Sequence, residues 1–286
     1  MASYETTEPA ISIRNIETLS EMRAVEDLQR EVWGAEDVVP LTHLVATREV
    51  GGILVGAFDG GELVGFVYGF IGQEGAHRVV HSHMLAVRPG ARNHSLGYRL
   101  KLAQRERTLA QGFDRITWTF DPLQSRNAHL NFNRLGVISD SYKLNFYGAE
   151  SQSELHRHIG TDRLWVTWLL RSERVRRRLD SGPMAEPGAP VTGQHAKLLE
   201  ADGEGAPILK ESIGGLKGLP ALIEIPGNIG SLQEHEPELA ASWREATRRA
   251  FTEALASGYI VEEFYRRDRN GQKPGAYLLI RGEEFR

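Results

Sequence analysis

The chain has 286 residues, of which 41% are hydrophobic and 25% charged, an ordinary globular composition with enough apolar material for a real core. Its net charge of -4 excludes a whole-molecule polyanion binder, because non-specific nucleic-acid binding needs surplus Lys and Arg to displace counterions. The absence of Cys excludes disulfides, thiol nucleophiles and Cys-zinc sites, and fits a reducing cytoplasm. The N-terminal MASYETTEPA lacks the basic start and apolar core of a signal peptide. No apolar run approaches the ~20 residues that cross a bilayer. The expectation is a cytoplasmic protein without nucleic-acid or membrane partners.

In chain order, residues 11–17 alternate in polarity and read as a strand. Ser20 is placed to cap the following helix, whose Met22, Val25, Leu28 and Val32 recur at helical spacing. A short helix starts near Leu41 and ends before Gly51-Gly52. Residues 53–58 and 63–70 are strands joined by the turn Asp59-Gly60-Gly61-Glu62. Residues 79–87 form another strand, stopped by Pro89-Gly90. A helix over about 95–111 carries Leu96, Leu100 and Ala103 on one face. Residues 115–120 are a strand closed by Asp121-Pro122, 125–135 a helix stopped by Gly136, and 137–146 and 164–170 two further strands. The stretch 180–206 has the Gly, Pro, Ala and Glu content of a linker. Strands at 221–225, 259–265 and 276–280 then surround a helix over 238–256, with Leu239, Trp243, Ala246 and Ala250 on one stripe. These readings divide the chain into 1–179, a linker at 180–206, and a small α+β unit at 207–286.

The basic run Arg174 to Arg178, flanked by Glu173 and Asp180, reads as a solvated helix face or linker. His81 and His83 sit at i, i+2, as do His156 and His158, but no HExxH frame joins them, and no metal is expected. The loop Arg92-Asn93-His94-Ser95-Leu96-Gly97 lies between a strand and a helix. Backbone N–H groups at a helix start, with the helix dipole behind them, suit a phosphate, and small Ser95 and Gly97 allow close approach. An ordinary capped helix start would look the same.

That loop resembles the acyl-CoA loop of the GNAT acyltransferase superfamily, Arg/Gln-x-x-Gly-x-Gly/Ala after the fourth strand. It matches at its first and last positions, with Ser95 where the first Gly is usual. Leu85-Ala86-Val87-x-Pro89 is similar to the family's preceding strand end. Asn127-Ala128-x-x-x-Phe132-x-x-Leu135-Gly136 resembles its second block, with Val137 where Phe is usual. The likeness covers residues 11–172. With Asp162-Arg163, residues 221–226 and Trp243-Arg244 added, nearly the whole chain looks like a bacterial subgroup with a C-terminal extension.

The resemblance implies an α/β (α+β) fold: a mixed, splayed central sheet flanked by helices, plus the smaller C-terminal unit. It implies acetyl-CoA or another acyl-CoA as co-substrate. Backbone groups of Leu85 and Val87 would hold the pantetheine arm. Arg92, Asn93, Ser95, Leu96, Gly97 and Tyr98 would hold the pyrophosphate. Asn127 and Asn131, at i, i+4, would reach the arm from one helix face. The implied reaction moves an acetyl or other short acyl group, succinyl included, to the amine of a small molecule such as an amino acid. The alternative is a non-catalytic acyl-CoA-binding or assembly module, favoured by Ser95 and Phe132.

His83 is a candidate base or a structural His; on a regular strand it shares a face with His81 and Leu85. Asp121 could act as base, bind the substrate ammonium, or serve as a turn residue before Pro122. Phe132 stands where many relatives carry an acidic Tyr, so Tyr142 or Tyr147 downstream would supply the acid. Trp118 is a candidate substrate contact. Arg163 suits a substrate carboxylate or a salt bridge to Asp162 or another acid. Residues 207–286 could pack on the sheet, cover the cleft or build a homodimer.

Overall fold

The computed structural model describes residues 11–35, 38–148, 159–181, 194–210, 213–216, 218–266 and 274–282, with Arg92, Asn93 and His94 described by their backbone alone. The chain forms two compact units, residues 1–116 and 117–286. The fold class is mixed α/β, as the sequence implies.

Unit 1 contains β1 (Ser12–Asn15), α1 (Leu19–Trp33), α2 (Leu41–Glu49), β2 (Ile53–Asp59), β3 (Glu62–Glu74), β4 (His77–Val87), a 3₁₀ turn (Pro89–His94) and α3 (Leu96–Ala110). Helix α1 starts two residues earlier than the Ser20 cap would put it. Thr18 is the cap: its Oγ1 accepts from the Glu21 amide at 3.2 Å, while the Glu21 carboxylate accepts from the Thr18 amide at 3.0 Å. This reciprocal capping box satisfies two amides that a Ser20 cap would leave open.

Strands β1 to β4 pair antiparallel in chain order. Gly60 and Gly61 both take positive φ (54° and 95°), as a two-residue hairpin requires. Strand alternation gives the sheet two different faces. Phe66 and Tyr68 join Met22, Val25 and Leu28 of α1 and Leu44 of α2 in one buried cluster. Each such side chain contributes about 1.5–3 kcal/mol on burial. On the other face, glycines make room for α3. A Cβ on Gly65 would stand 3.3 Å from Leu100, and one on Gly69 2.9 Å from Gln104.

Strand β5 (Arg115–Phe120) crosses the boundary between the units. Unit 2 continues with α4 (Ser125–Ala128), a π-helical turn (His129–Leu135), β6 (Ile138–Lys143), β7 (Arg163–Leu169) and α5 (Glu173–Asp180). Then come β8 (Ala196–Ala201), β9 (Pro207–Leu209), a 3₁₀ turn (Ile213–Gly215), β10 (Ala221–Ile225), α6 (Ile229–His235), α7 (Pro237–Ala256), β11 (Tyr259–Arg266) and β12 (Gly275–Arg281). Its strands run β5-β7-β6-β11-β12-β10-β8-β9. Strand β8 lies inside the stretch with linker composition and pairs parallel with β10.

Two local features differ from the sequence expectation. The helix over 125–135 changes from α to π at His129, and the Val137 amide donates back to the Asn131 carbonyl at 3.1 Å. The buried stripe of α7 runs through Ala240, Trp243, Thr247, Ala250 and Ala254, with Arg244 beside it, rather than through Leu239 and Ala246. In α5, Arg174 and Arg178 reach Glu263 of β11, and Arg176 and Arg177 are exposed. The basic run is thus half structural and half solvated.

Candidate functional site

The candidates of unit 1 lie on β4, the loop after it and the first turn of α3. The pairing of β3 with β4 slips between Tyr68↔Met84 and Gly69↔Ser82, which leaves His83 as the extra residue of a β-bulge. A bulge resets the alternation of side chains. His83 shares a face with His81 as expected: the Phe70 ring lies 5.4 Å from His81 and 5.9 Å from His83. Leu85 does not share it. Its side chain points toward α3, 3.7 Å from where a Cβ on Gly97 would sit, while Met84 and Ala86 face α1. The regular-strand assumption fails at this one position.

Around His83 stand Tyr68, with rings 6.1 Å apart, and His43 of α2, whose ring lies 6.3 Å from Tyr68. The Tyr68 hydroxyl and Thr47 Oγ1 are hydrogen-bonded at 3.0 Å. Loss of hydration pushes the His83 pKa down, and the charge of His43 adds to it. Burial, then His83 and Lys101, push that of His81 down to about 4. Both rings are therefore neutral near pH 7, the form that accepts a proton.

Ser95, between the 3₁₀ turn and α3, adopts a left-handed backbone with φ of 53°, which an L-residue takes only against a steric penalty. Its side chain makes no capping bond to α3. The first turn of α3 contains no acidic residue. Leu96 and Tyr98 turn their side chains inward, so what these positions can offer a ligand is backbone N–H. A helix start with left-handed Ser95, no side-chain cap and no acid favours an anion.

Unit 2 holds the remaining candidates. Trp118 is buried on β5, edge-on to Trp168 at 6.1 Å. Asp121 is buried too. Its Oδ2 accepts from Arg244 Nη2 at 2.7 Å and its Oδ1 from the Leu123 amide at 2.9 Å, so both oxygens are engaged. Asn127 is exposed while Asn131 is buried, because the change to i→i+5 bonding at His129 takes them off a common face. Phe132 is buried between Phe120 and Tyr277. Tyr142 donates to Asp162 at 2.8 Å. Tyr147 is 48% exposed, lies under the Arg163 guanidinium at 5.2 Å, and its hydroxyl is 3.5 Å from Thr119 Oγ1. The position is consistent with a ligand contact.

Asp162 pairs with Arg248, whose Nε and Nη2 lie 2.8 and 3.1 Å from its two oxygens, and also accepts from the Asn145 amide at 2.9 Å. Burial alone would raise its pKa; these bonds outweigh burial and hold it below the usual carboxylate value. Asp162 is thus held by Arg248. Arg163 itself is destabilised as a cation, first by burial, with Arg244 adding to it against the pull of Asp121.

Arg244, His43 and Lys101 were not among the sequence candidates. Lys101 and Arg244 sit within buried helix stripes, and a charge on such a stripe was the available signal. Among the described residues, no group of three or more His, Asp and Glu is arranged to hold a metal. His156 and His158 lie outside the described residues. Among those residues, no helix is long and apolar enough to cross a membrane.

Residues 16–136 match the family model described as "Acetyltransferase (GNAT) family". Three solved structures are similar to part of this chain. The NatC complex bound to Gag peptide and CoA is 12% identical, with 56% of this chain and 98% of that one covered at a TM-score of 0.46. The GNAT acetyltransferase from Streptococcus pneumoniae is 15% identical, with 55% and 97% covered at 0.45. The aminoglycoside 6'-N-acetyltransferase from Enterococcus faecium is 18% identical, with 56% and 98% covered at 0.42. No curated protein matches the chain.

Proposed function

We propose that the protein is a CoA-dependent N-acyltransferase that moves an acetyl or other short acyl group, such as succinyl, from acyl-CoA to the amine of a small molecule. The observation that carries this reading is the junction of β4 and α3, within the residues that match the GNAT acetyltransferase family. There the left-handed Ser95 opens a helix start without a side-chain cap. Its amides, with Arg92 and Asn93, are the proposed pyrophosphate cradle. Backbone groups of Leu85 and Val87, and Asn127 and Asn131, are the proposed contacts to the pantetheine arm.

Acyl-CoA supplies an activated carbonyl and a thiolate leaving group. The amine nitrogen bonds to that carbonyl, the C–S bond breaks, and one proton must leave the nitrogen. Neutral His83, at the bulge of β4, is the proposed acceptor of that proton. The exposed Tyr147 is the proposed donor to the leaving sulfur, in place of the buried Phe132. Asp121, with both oxygens engaged, acts through Arg244 as a positioning residue, while Trp118 and Arg163 border the acceptor.

A second reading, a non-catalytic acyl-CoA-binding module, is favoured by the replacement of the acidic Tyr by Phe132. Isothermal titration with acetyl-CoA and succinyl-CoA tests the binding step common to both. Saturable binding is expected, and failure of every CoA thioester to bind would overturn the proposal.

A further inference from the structure

Helix α3 buries an amine against the strand that carries His83. Lys101 is buried, and its Nζ donates to Ser82 Oγ of β4 at 2.7 Å and to Gln104 Oε1 at 3.2 Å. Ser82 and Gln104 are buried with it. The buried side of α3 also carries Leu96, Leu100 and Ala103, which fill space without a polar side-chain group. An amine among them gives up hydration that two neutral acceptors return only in part. Packing alone favours an apolar residue there, and departures from the local rule of this kind gather at functional sites.

The amine holds the start of the β4 bulge. Ser82 pairs with Gly69 and Met84 with Tyr68, and His83 is the extra residue between them. On a regular strand, residues i and i+2 point to the same face. Ser82 and Met84 do not. The Ser82 hydroxyl meets Lys101 of α3, while Met84 packs against the cluster formed with α1 and α2. One extra residue reconciles two anchors on opposite faces, and it aims His83 at Tyr68 and Phe70, with ring separations of 6.1 and 5.9 Å. The Met84 anchor is apolar and without direction, whereas the Ser82 anchor is a directional bond. Gly69, across from Ser82, leaves room for Gln104: a Cβ there would stand 2.9 Å from Gln104 Nε2. Among the described residues, the titratable groups placed around His83 are His43 of α2, Tyr68 of β3 and His81 of β4 itself.

We propose that Lys101 is a positioning residue for acyl transfer, acting through Ser82 to hold the β4 bulge in the register that presents His83 to the acceptor amine. This rests on the acyltransfer reading above, in which His83 takes the amine proton, and adds to it two buried residues that act through that imidazole.

The test reads the imidazole directly. The titration of His83 is followed by NMR in the full chain without CoA or acceptor, its signal identified by its loss in His83→Gln. Ser82→Ala removes the acceptor and Lys101→Met the donor, with circular dichroism confirming the fold of each. Without the anchor the ring is expected to leave Tyr68 and Phe70 and gain water, so its pKa rises toward the ordinary imidazole value. In the acyl-transfer assay both variants are expected to lose about tenfold or more in kcat with KM for acyl-CoA unchanged. Ser82→Thr, which keeps the hydroxyl, is expected to restore both the titration and kcat. A merely structural lysine would lower stability and move neither, so an unchanged His83 titration in the folded variants overturns the proposal. A wild type that releases no thiol, while its His83 titration still responds to Ser82→Ala, overturns the acyltransfer reading and supports the anchoring, so the two failures are distinguishable.

Discussion

Lys101 is 3% exposed on α3, and its Nζ donates to the neutral acceptors Ser82 Oγ at 2.7 Å and Gln104 Oε1 at 3.2 Å. Burial pushes its pKa well below the ordinary 10.5. The folded chain then binds fewer protons than the unfolded chain at every pH between the depressed value and 10.5. Stability therefore falls as pH drops through that window and rises as pH increases. One proton contributes up to about 1.4 kcal/mol per pH unit within that window. Few other groups titrate in that range, because the chain has no Cys. The perturbation is Lys101→Met, close in volume and uncharged. Urea unfolding at several pH values gives the difference in stability between wild type and variant. That difference should change with pH by up to the amount above, with wild type gaining on the variant as pH rises. Parallel curves across the window would refute the reasoning, because they would mean that the amine is charged in the fold.

Three further outcomes follow from the same geometry. Asp121→Asn keeps the shape but leaves buried Arg244 without its counter-charge, so urea unfolding should show a loss of about 3 kcal/mol; an unchanged midpoint would place another anion on Arg244. Ser95→Gly removes the left-handed penalty and should raise stability by about 1 kcal/mol without weakening CoA binding by calorimetry. A Cβ on Gly160 would stand 2.7 Å from Asn145 Oδ1 at a φ of 74°. Gly160→Ala should therefore lower the thermal midpoint, by an amount equivalent to about 1–2 kcal/mol.

Much of this molecule is legible from local signals. Hydrophobic spacing and turn glycines locate β2, β3, α3, β5 and α7 because each element's periodicity agrees with its place in the core. What escaped was set by tertiary context. The bulge at His83 depends on the register of β3, and no residue in HSHML announces it. The change to π geometry at His129 depends on where Val137 finds an acceptor. The Asp121–Arg244 pair joins residues 123 positions apart. Its acid reads as a turn residue, and its base hides beside Trp243 on a buried stripe. Short β8, flanked by Gly and Pro, has the composition of the linker around it. The loop at Ser95 read by its chemistry only as a helix start suited to a phosphate, and its left-handed backbone was not legible, since Ser rarely occupies that conformation.

The central claim is amine acylation, and the most direct measurement is thiol release. The full chain is incubated with acetyl-CoA or succinyl-CoA and a panel of amines, with mass spectrometry of the acceptors. The account predicts free CoA thiol and, in equal amount, an acceptor heavier by one acyl group, with both lost in His83→Ala. CoA binding without thiol release across the panel would contradict it and leave the acyl-CoA-binding module as the reading that stands.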